Sequence, residues 1–204
     1  MRDLERTAAG GEVVVPSDTI ITQLARDEAT ARGITIRFED QAASGVPSAP
    51  AAQTRVIAIG ADHGGFDLKE QLKAYLKEWG YTVLDLGTFD REAVDYPDYA
   101  EAVANSVVKG EASLGVVIDS AGIGSSIAAN KVPGARAALC YDRATARNSR
   151  EHNDANIIAL GARLIAAEAA REILAAWLAT SFAGGRHEKR VDKIRAIEKR
   201  HRKS

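Results

Sequence analysis

From Val56 onward, short apolar runs alternate with longer amphipathic ones, and this alternation restricts the fold more than any other property of the chain. The apolar runs are Val56-Ile-Ala-Ile-Gly60, Tyr81 to Leu86, Leu114 to Ile118, Ala135 to Cys140 and Ile157 to Leu160. Between them lie helical patterns: Phe66 to Trp79, ended by Gly80; a segment running to Lys109 with Pro97 in its first turn; a short one from Ser125; one capped by Asp142 and leading to Glu151; and one from Ala166 to Thr180. A charged terminal helix follows Gly184-Gly185, and His152 to Asn156 reads as a polar turn. Strands that alternate with helices predict an α/β fold, a parallel sheet covered by helices on both faces. No internal repeat is evident.

Residues 1–54 differ in character. Ile20 to Gly33 predicts one short helix, with Thr22 as N-cap, Gly33 as C-terminal cap and a thin apolar stripe of Ile21, Leu24, Ala25 and Ala29. Ile34 to Phe38 is a brief extended piece. Gln41 to Gln53 is low in bulky residues and rich in Ala, Ser and Pro, which is linker composition. The chain therefore divides into an N-terminal amphipathic helix (1–40), a linker (41–54) and a main domain (55–204). The first part is either a docking or targeting helix on a tether, or an extension with a nascent helix.

Composition removes several classes of function. The 204 residues carry a net charge of -1, which argues against a protein that binds polyanions over its whole surface. No run approaches the apolar length of a membrane span. Arg2, Asp3, Glu5 and Arg6 stand where a secretory signal would be apolar. The single cysteine, Cys140, cannot form an internal disulfide and fits a reducing compartment, so a cytosolic protein is expected. Cys140 itself reads as a buried core residue. The basic tail, Arg186 to Lys203, is interrupted by Glu188, Asp192 and Glu198 and has no aromatic platform, so a solvated helix explains it better than a nucleic-acid surface.

Two turns carry candidate chemistry. Val116 to Lys131 runs from a strand into Asp119-Ser120, bends through Gly122 and Gly124, and restarts as a helix near Ser125. Such a loop is either an anion cradle of backbone N–H groups beside a carboxylate, or a helix-capping turn. The first turn, with Gly60, Gly64 and Gly65, matches neither a dinucleotide fingerprint nor a P-loop, so no nucleotide cofactor is expected. It does place Asp62 and His63 at a strand's carboxyl end, as site residues or as turn residues. The former reading gains weight if His152 converges on the same edge.

Several stretches together resemble one family: Gly60 to Phe66, Asp95 to Ala100, Gly122-Ile-Gly through Ala128 to Lys131, Ser149 to Asn156, and Gly184-Gly-Arg-His187. They are similar to the type B ribose-5-phosphate isomerases, a family that includes the galactose-6-phosphate isomerases, over residues 55 to about 201. The resemblance implies a Rossmann-like three-layer α/β/α sandwich and a metal-free, cofactor-free aldose–ketose isomerase. It also implies a homodimer, or a tetramer, whose sites lie between subunits. It implies that His152 helps open the sugar ring, with Asp62 assisting, and that Asn153 binds sugar hydroxyls. His63, Arg186 and Arg190, with Arg163 nearby, would hold the phosphate. The loop from Ser120 through Gly122, Gly124 and Ser125 to Ser126 would receive the enediolate oxygen. Arginine forks and a glycine loop suit those tasks chemically.

The chain departs from the family's pattern in the loop. Where many members carry a cysteine base, it has Asp119; where others carry a glutamate, it has Ser125; and Ala121 replaces a Ser or Thr hydroxyl. Either Asp119 has become the base or catalysis is lost, and a carboxylate is chemically competent. Three readings follow. The chain isomerises ribose 5-phosphate and ribulose 5-phosphate through a cis-enediolate; or it acts on another tetrose, pentose or hexose phosphate; or it binds sugar phosphates without turnover. The N-terminal segment resembles in design the helices that load enzymes into bacterial microcompartments, which implies a shell or cargo partner there. Neither a nucleic acid nor a membrane is expected as a partner.

Overall fold

The computed structural model describes residues 10–15, 28–38 and 55–202. Contacts divide the chain into two units, Met1–Ser48 and Ala49–Ser204. The expected linker, residues 41–54, lies outside the described residues, as do residues 20–27 of the expected N-terminal helix.

In the first unit, β1 (Glu12–Val15) pairs in parallel with β2 (Thr35–Phe38), and residues 28–31 form a helical turn between them. The turn closes as anticipated at Gly33, whose φ is +64°. Gly33 N–H donates to Thr30 O, and Ile34 N–H to Ala29 O at 2.8 Å, a paired Schellman closure. Val13, Ala29 and Ile34 are buried together. The extended piece read at Ile34 to Phe38 corresponds to β2, whereas β1 was missed. Its signal was present in the β-branched run Val13-Val14-Val15 after Gly10-Gly11, but its partner lies twenty residues away across the crossover that parallel pairing requires.

The second unit is a five-stranded parallel sheet in the order β4-β3-β5-β7-β6. Its strands are β3 (Val56–Ala61), β4 (Thr82–Asp85), β5 (Leu114–Asp119), β6 (Ala137–Leu139) and β7 (Ile157–Gly161). The helices are α1 (Phe66–Glu78), α2 (Tyr96–Val108), α3 (Ile123–Ala129), α4 (Arg143–Asn153), α5 (Ala167–Ala179) and α6 (Glu188–His201), the last preceded by a 3₁₀ turn at Gly185–His187. The two sheet faces separate by strand alternation. Ile57, Ile59, Val116, Ile118, Ile158 and Leu160 pack with Leu72 and Leu76 of α1 and with Ile173, Leu174 and Trp177 of α5. Ala58, Val117, Ile157 and Ala159 pack with Val103, Ala104 and Val107 of α2 and Ala129 of α3. The result is the three-layer sandwich read from the sequence. Among the described residues no helix is long and apolar enough to cross a membrane.

Several boundaries differ from the sequence reading by a residue or more, α3 starting at Ile123 and not at Ser125 among them. β6 is shorter than the 135–140 run, and α4 continues through His152 and Asn153, which were read as a turn. The helix starts where anticipated: Asp142 Oδ1 accepts from Thr145 N–H at 2.7 Å in a capping box. It stops only at Asp154, whose left-handed φ of +48° ends it.

Candidate active site

The strand order reverses between β3 and β5. From β3 the chain goes outward to β4 and then returns across β3 to β5, so the loops after β3 and β5 diverge and leave a crevice at their carboxyl ends. Register pairs Ala61 with Ile118, which brings Asp62 and Asp119 to the mouth of that crevice. Both carboxylates are buried, 7% and 5% exposed.

Asp119 is held by its own loop. Oδ1 accepts from Ala121 N–H at 2.7 Å and from Gly122 N–H, and Oδ2 accepts from Ser125 N–H at 2.8 Å. The N–H groups anticipated from the glycines do converge into a cradle, but the carboxylate occupies it instead of lying beside it. Burial pushes its pKa up, but the hydrogen bonds from Ser125, Gly122 and Ala121 outweigh burial and leave it below the ordinary carboxylate value. Gly122 makes the turn at φ +78°, and a Cβ there would lie 2.6 Å from Leu139 Cδ1. Gly124 lies under Tyr96: a Cβ on it would come within 2.6 Å of that ring.

Asp62 is shifted the opposite way. Burial raises its pKa and the charge of Asp119 adds to this, against a hydrogen bond from Gly65 N–H to Oδ1 at 2.9 Å. Ser120 adjoins the same turn, because a Cβ on Gly64 would lie 2.5 Å from Ser120 Oγ and 3.3 Å from Asp62 Oδ1. His63 is exposed beside it, with Nδ1 3.2 Å from Val94 O. The backbone N–H of Arg163 donates to Ser120 O at 3.0 Å, which puts this exposed arginine on the same edge.

His152, Asn153, Arg186 and Arg190 form a second group at the opposite edge. In a parallel sheet a crossover helix starts at the carboxyl edge and ends at the amino edge. α4 therefore delivers His152 and Asn153 to the start of β7, whereas Asp119 pairs with Gly161 at its end. Five residues of β7 separate the two edges by roughly 16 Å. Within one chain, His152 does not converge on the edge that holds Asp62. Its ring stacks on that of His187, with centroids 4.1 Å apart and an interplanar angle of 3°. Its Nδ1 lies 2.8 Å from Asn148 Nδ2, so Nδ1 is the acceptor and Nε2 carries the proton. His187 is buried and accepts at Nε2 from Arg186 Nε at 3.2 Å. Burial lowers its pKa, and His152, Arg186 and Arg190 lower it further. A groove of about 820 Å³ between α6 and residues 130–138 includes Asn153 in its lining, but neither of the buried carboxylates.

Three side chains at these groups were not assigned from the sequence. Tyr96 and His187 lay inside recognised stretches without a role, and Tyr141, whose Oη donates to Ala121 O at 3.0 Å, carried no local signal. Each acts through a contact made by a different element, which spacing along the chain does not report. Cys140, read as a core residue, is 1% exposed, and burial pushes its thiol pKa up to about 11.

Known proteins share this fold and much of its sequence. The profile of the family described as Ribose/Galactose Isomerase matches residues 57–194. Ribose-5-phosphate isomerase B of Escherichia coli (strain K12) is 48% identical over 144 residues, covering 71% of this chain and 97% of that protein. The D-erythrulose-4-phosphate isomerase of Pectobacterium atrosepticum is 44% identical over 140 residues, covering 68% and 91%. The structure of Clostridium thermocellum ribose-5-phosphate isomerase B superposes with a TM-score of 0.72 at 52% identity, over 72% of this chain and 99% of that one. The matching profile over residues 57–194, relatives alike over nearly their whole length and a superposable fold agree, and the chain belongs to the ribose/galactose isomerase family of sugar-phosphate isomerases.

Proposed function

We propose that the protein interconverts ribose 5-phosphate and ribulose 5-phosphate by a cis-enediolate proton transfer, with Asp119 as the base. The observation that carries this reading is the placement of the Asp119 carboxylate within its own N–H cradle at the switch point. When Asp119 takes the C2 proton, negative charge leaves the carboxylate and develops on the substrate oxygen. The N–H groups of Ala121, Gly122 and Ser125, released from a carboxylate that has lost its charge, then stabilise the enediolate beside it. The proton returns to C1 while the proton on O2 passes to O1, which leaves the C2 carbonyl of ribulose 5-phosphate. The low basicity that the same hydrogen bonds impose on Asp119 is thereby offset in the transition state.

The remaining roles follow from the two groups of residues. His152, with its proton on Nε2, serves ring opening together with Asp62, and Asn153 binds sugar hydroxyls. His63 and Arg163 on one edge, and Arg186 and Arg190 on the other, take the phosphate. Because one chain holds these groups at opposite edges, the site is proposed to form between two chains of a homodimer, the carboxyl edge of one facing the amino edge of its partner. The protein is proposed to work in the cytoplasm, with residues 1–40 docking it to a partner such as a microcompartment shell or its cargo.

A second substrate is favoured by one observation, the likeness to a relative named for D-erythrulose 4-phosphate. Proton NMR in deuterated water tests both. Ribose 5-phosphate should lose its C2 proton signal as ribulose 5-phosphate appears, at a kcat/KM above that for a panel of tetrose and hexose phosphates. Faster turnover of a tetrose phosphate would move the assignment to that substrate. No exchange with any aldose phosphate would leave a binding protein without turnover.

A further inference from the structure

A hydroxyl from outside the cradle loop holds one of the loop's peptides in place. Tyr141 follows β6 at the carboxyl edge, and its Oη donates to the carbonyl oxygen of Ala121 at 3.0 Å. That carbonyl and the N–H of Gly122 belong to one planar peptide, so whatever fixes the oxygen fixes the N–H. The N–H points into the cradle and donates to Asp119 Oδ1. From the other side the peptide rests on the bare backbone of β7: a Cβ on Gly161 would lie 2.5 Å from the Ala121 oxygen and 2.7 Å from its carbonyl carbon. Tyr141 is itself anchored, because the capping box of the next residue, Asp142, sets the start of α4.

We propose that Tyr141 is a positioning residue for isomerisation: its hydroxyl sets the plane of the Ala121–Gly122 peptide and so aims the Gly122 N–H at the oxygen where enediolate charge develops. The inference rests on the isomerase reading above. An oxyanion donor stabilises a transition state only when aimed at the position the charged oxygen will occupy, and a rotated peptide would turn its carbonyl there instead. Tyr141 is 40% exposed, so removing its hydroxyl opens no buried cavity.

The test compares Tyr141→Phe, which deletes only the hydroxyl, with Gly161→Ala, which presses on the same carbonyl from the opposite side. Losing one positioning hydrogen bond should lower kcat about three- to tenfold in Tyr141→Phe. KM for ribose 5-phosphate and Kd for inorganic phosphate should stay as in the wild type. Affinity for a hydroxamate mimic of the enediolate should fall by the same factor as kcat, and the Gly122 amide resonance should move in both variants. Wild-type kcat, hydroxamate affinity and Gly122 resonance in Tyr141→Phe would overturn the proposal. So would an equal loss of phosphate affinity, which marks general loosening. If the wild type isomerises no aldose phosphate, the isomerase reading is what fails. The Gly122 resonance then decides the positioning by itself, and an unmoved amide overturns it.

Discussion

Replacing Asp119 by asparagine separates the two tasks of its carboxylate. The variant keeps the shape, and its remaining carbonyl can still accept from Ala121 and Gly122 N–H. Its NH₂ group then faces the N–H of Ser125, donor against donor, at a site only 5% exposed. Losing one charge-assisted hydrogen bond in this way amounts to about 1.5–3 kcal/mol of stability. For a domain of this size that is roughly 3–12 °C in Tm. The loss of the proton acceptor is a separate effect and should lower kcat by at least ~10²-fold. The assay is exchange of the C2 proton of ribose 5-phosphate with deuterated water, run well below the variant's Tm so that unfolding does not enter. KM should change little, because the residues proposed to hold phosphate are untouched.

The pH dependence gives a second measurement on the same variant. Asp119 stays ionised at every pH above ~4, because its folded-state pKa lies below the ordinary carboxylate value. No limb of the wild-type kcat profile between about pH 5 and 8 should therefore belong to it. Asp62 is raised partly by the charge of Asp119, so in Asp119→Asn any acid limb due to Asp62 should move to lower pH. Retention of more than about a tenth of the exchange rate in Asp119→Asn, with a hundredfold loss in Asp62→Asn, would refute the assignment and make Asp62 the proton carrier.

Asp85 should matter for stability: Lys69, with no exposed surface, lies 2.8 Å from its Oδ1 and 2.9 Å from Glu70 Oε1, so Asp85→Asn leaves the ammonium one carboxylate and should cost about 1.5–3 kcal/mol in urea unfolding. Burial raises the Asp85 pKa, but Lys69 and Lys73 lower it further, so its contribution is present above about pH 4 and lost as pH falls below that. The urea midpoint of the wild type should drop in that range more than the variant's. Iodoacetamide at pH 8 should leave activity intact, since the Cys140 thiol is 1% exposed with a pKa near 11; rapid labelling with inactivation would contradict this. Deleting residues 1–54 should leave folding and kcat unchanged, and aggregation or a large loss of kcat would show that the main domain needs them. Mixing Asp119→Asn with Arg190→Ala should restore part of the activity through heterodimers with one intact site; no recovery after demonstrated subunit exchange would argue for a site within one chain.

Local signals made most of the main domain legible. Alternating apolar runs marked all five strands of its sheet, and Asp142, Pro97 and Gly80 marked helix ends by chemistry confined to a few residues. β1 was missed because four residues gain their identity only from pairing with β2. The loop after β5 left two readings open, anion cradle or capping turn, and its hydrogen bonds are those of a turn closed by its own carboxylate. Asp119 folds back onto N–H groups two, three and six residues ahead, which is what a capping aspartate does, and those N–H groups are the cradle. Spacing alone could not say whether the carboxylate or a ligand occupies it.

The separation of His152 from Asp119 has a different origin. Once the strands are parallel, every crossover helix must begin at one edge of the sheet and end at the other, so a residue at the end of α4 and a residue at the end of β5 belong to opposite edges. That conclusion follows from alternation alone. The stacking of His152 on His187 does not, because it depends on where the segment after α5 returns: Arg150 Nε reaches Thr180 O at 3.3 Å and Ala183 N–H donates to Glu151 O at 3.0 Å, and these two bonds seat the 3₁₀ turn against the end of α4. The amino-edge group is thus assembled where the segment after α5 returns to the end of α4, and the carboxyl-edge group where β3 and β5 pair, which is why the isomerase reading proposes a second chain to bring them together.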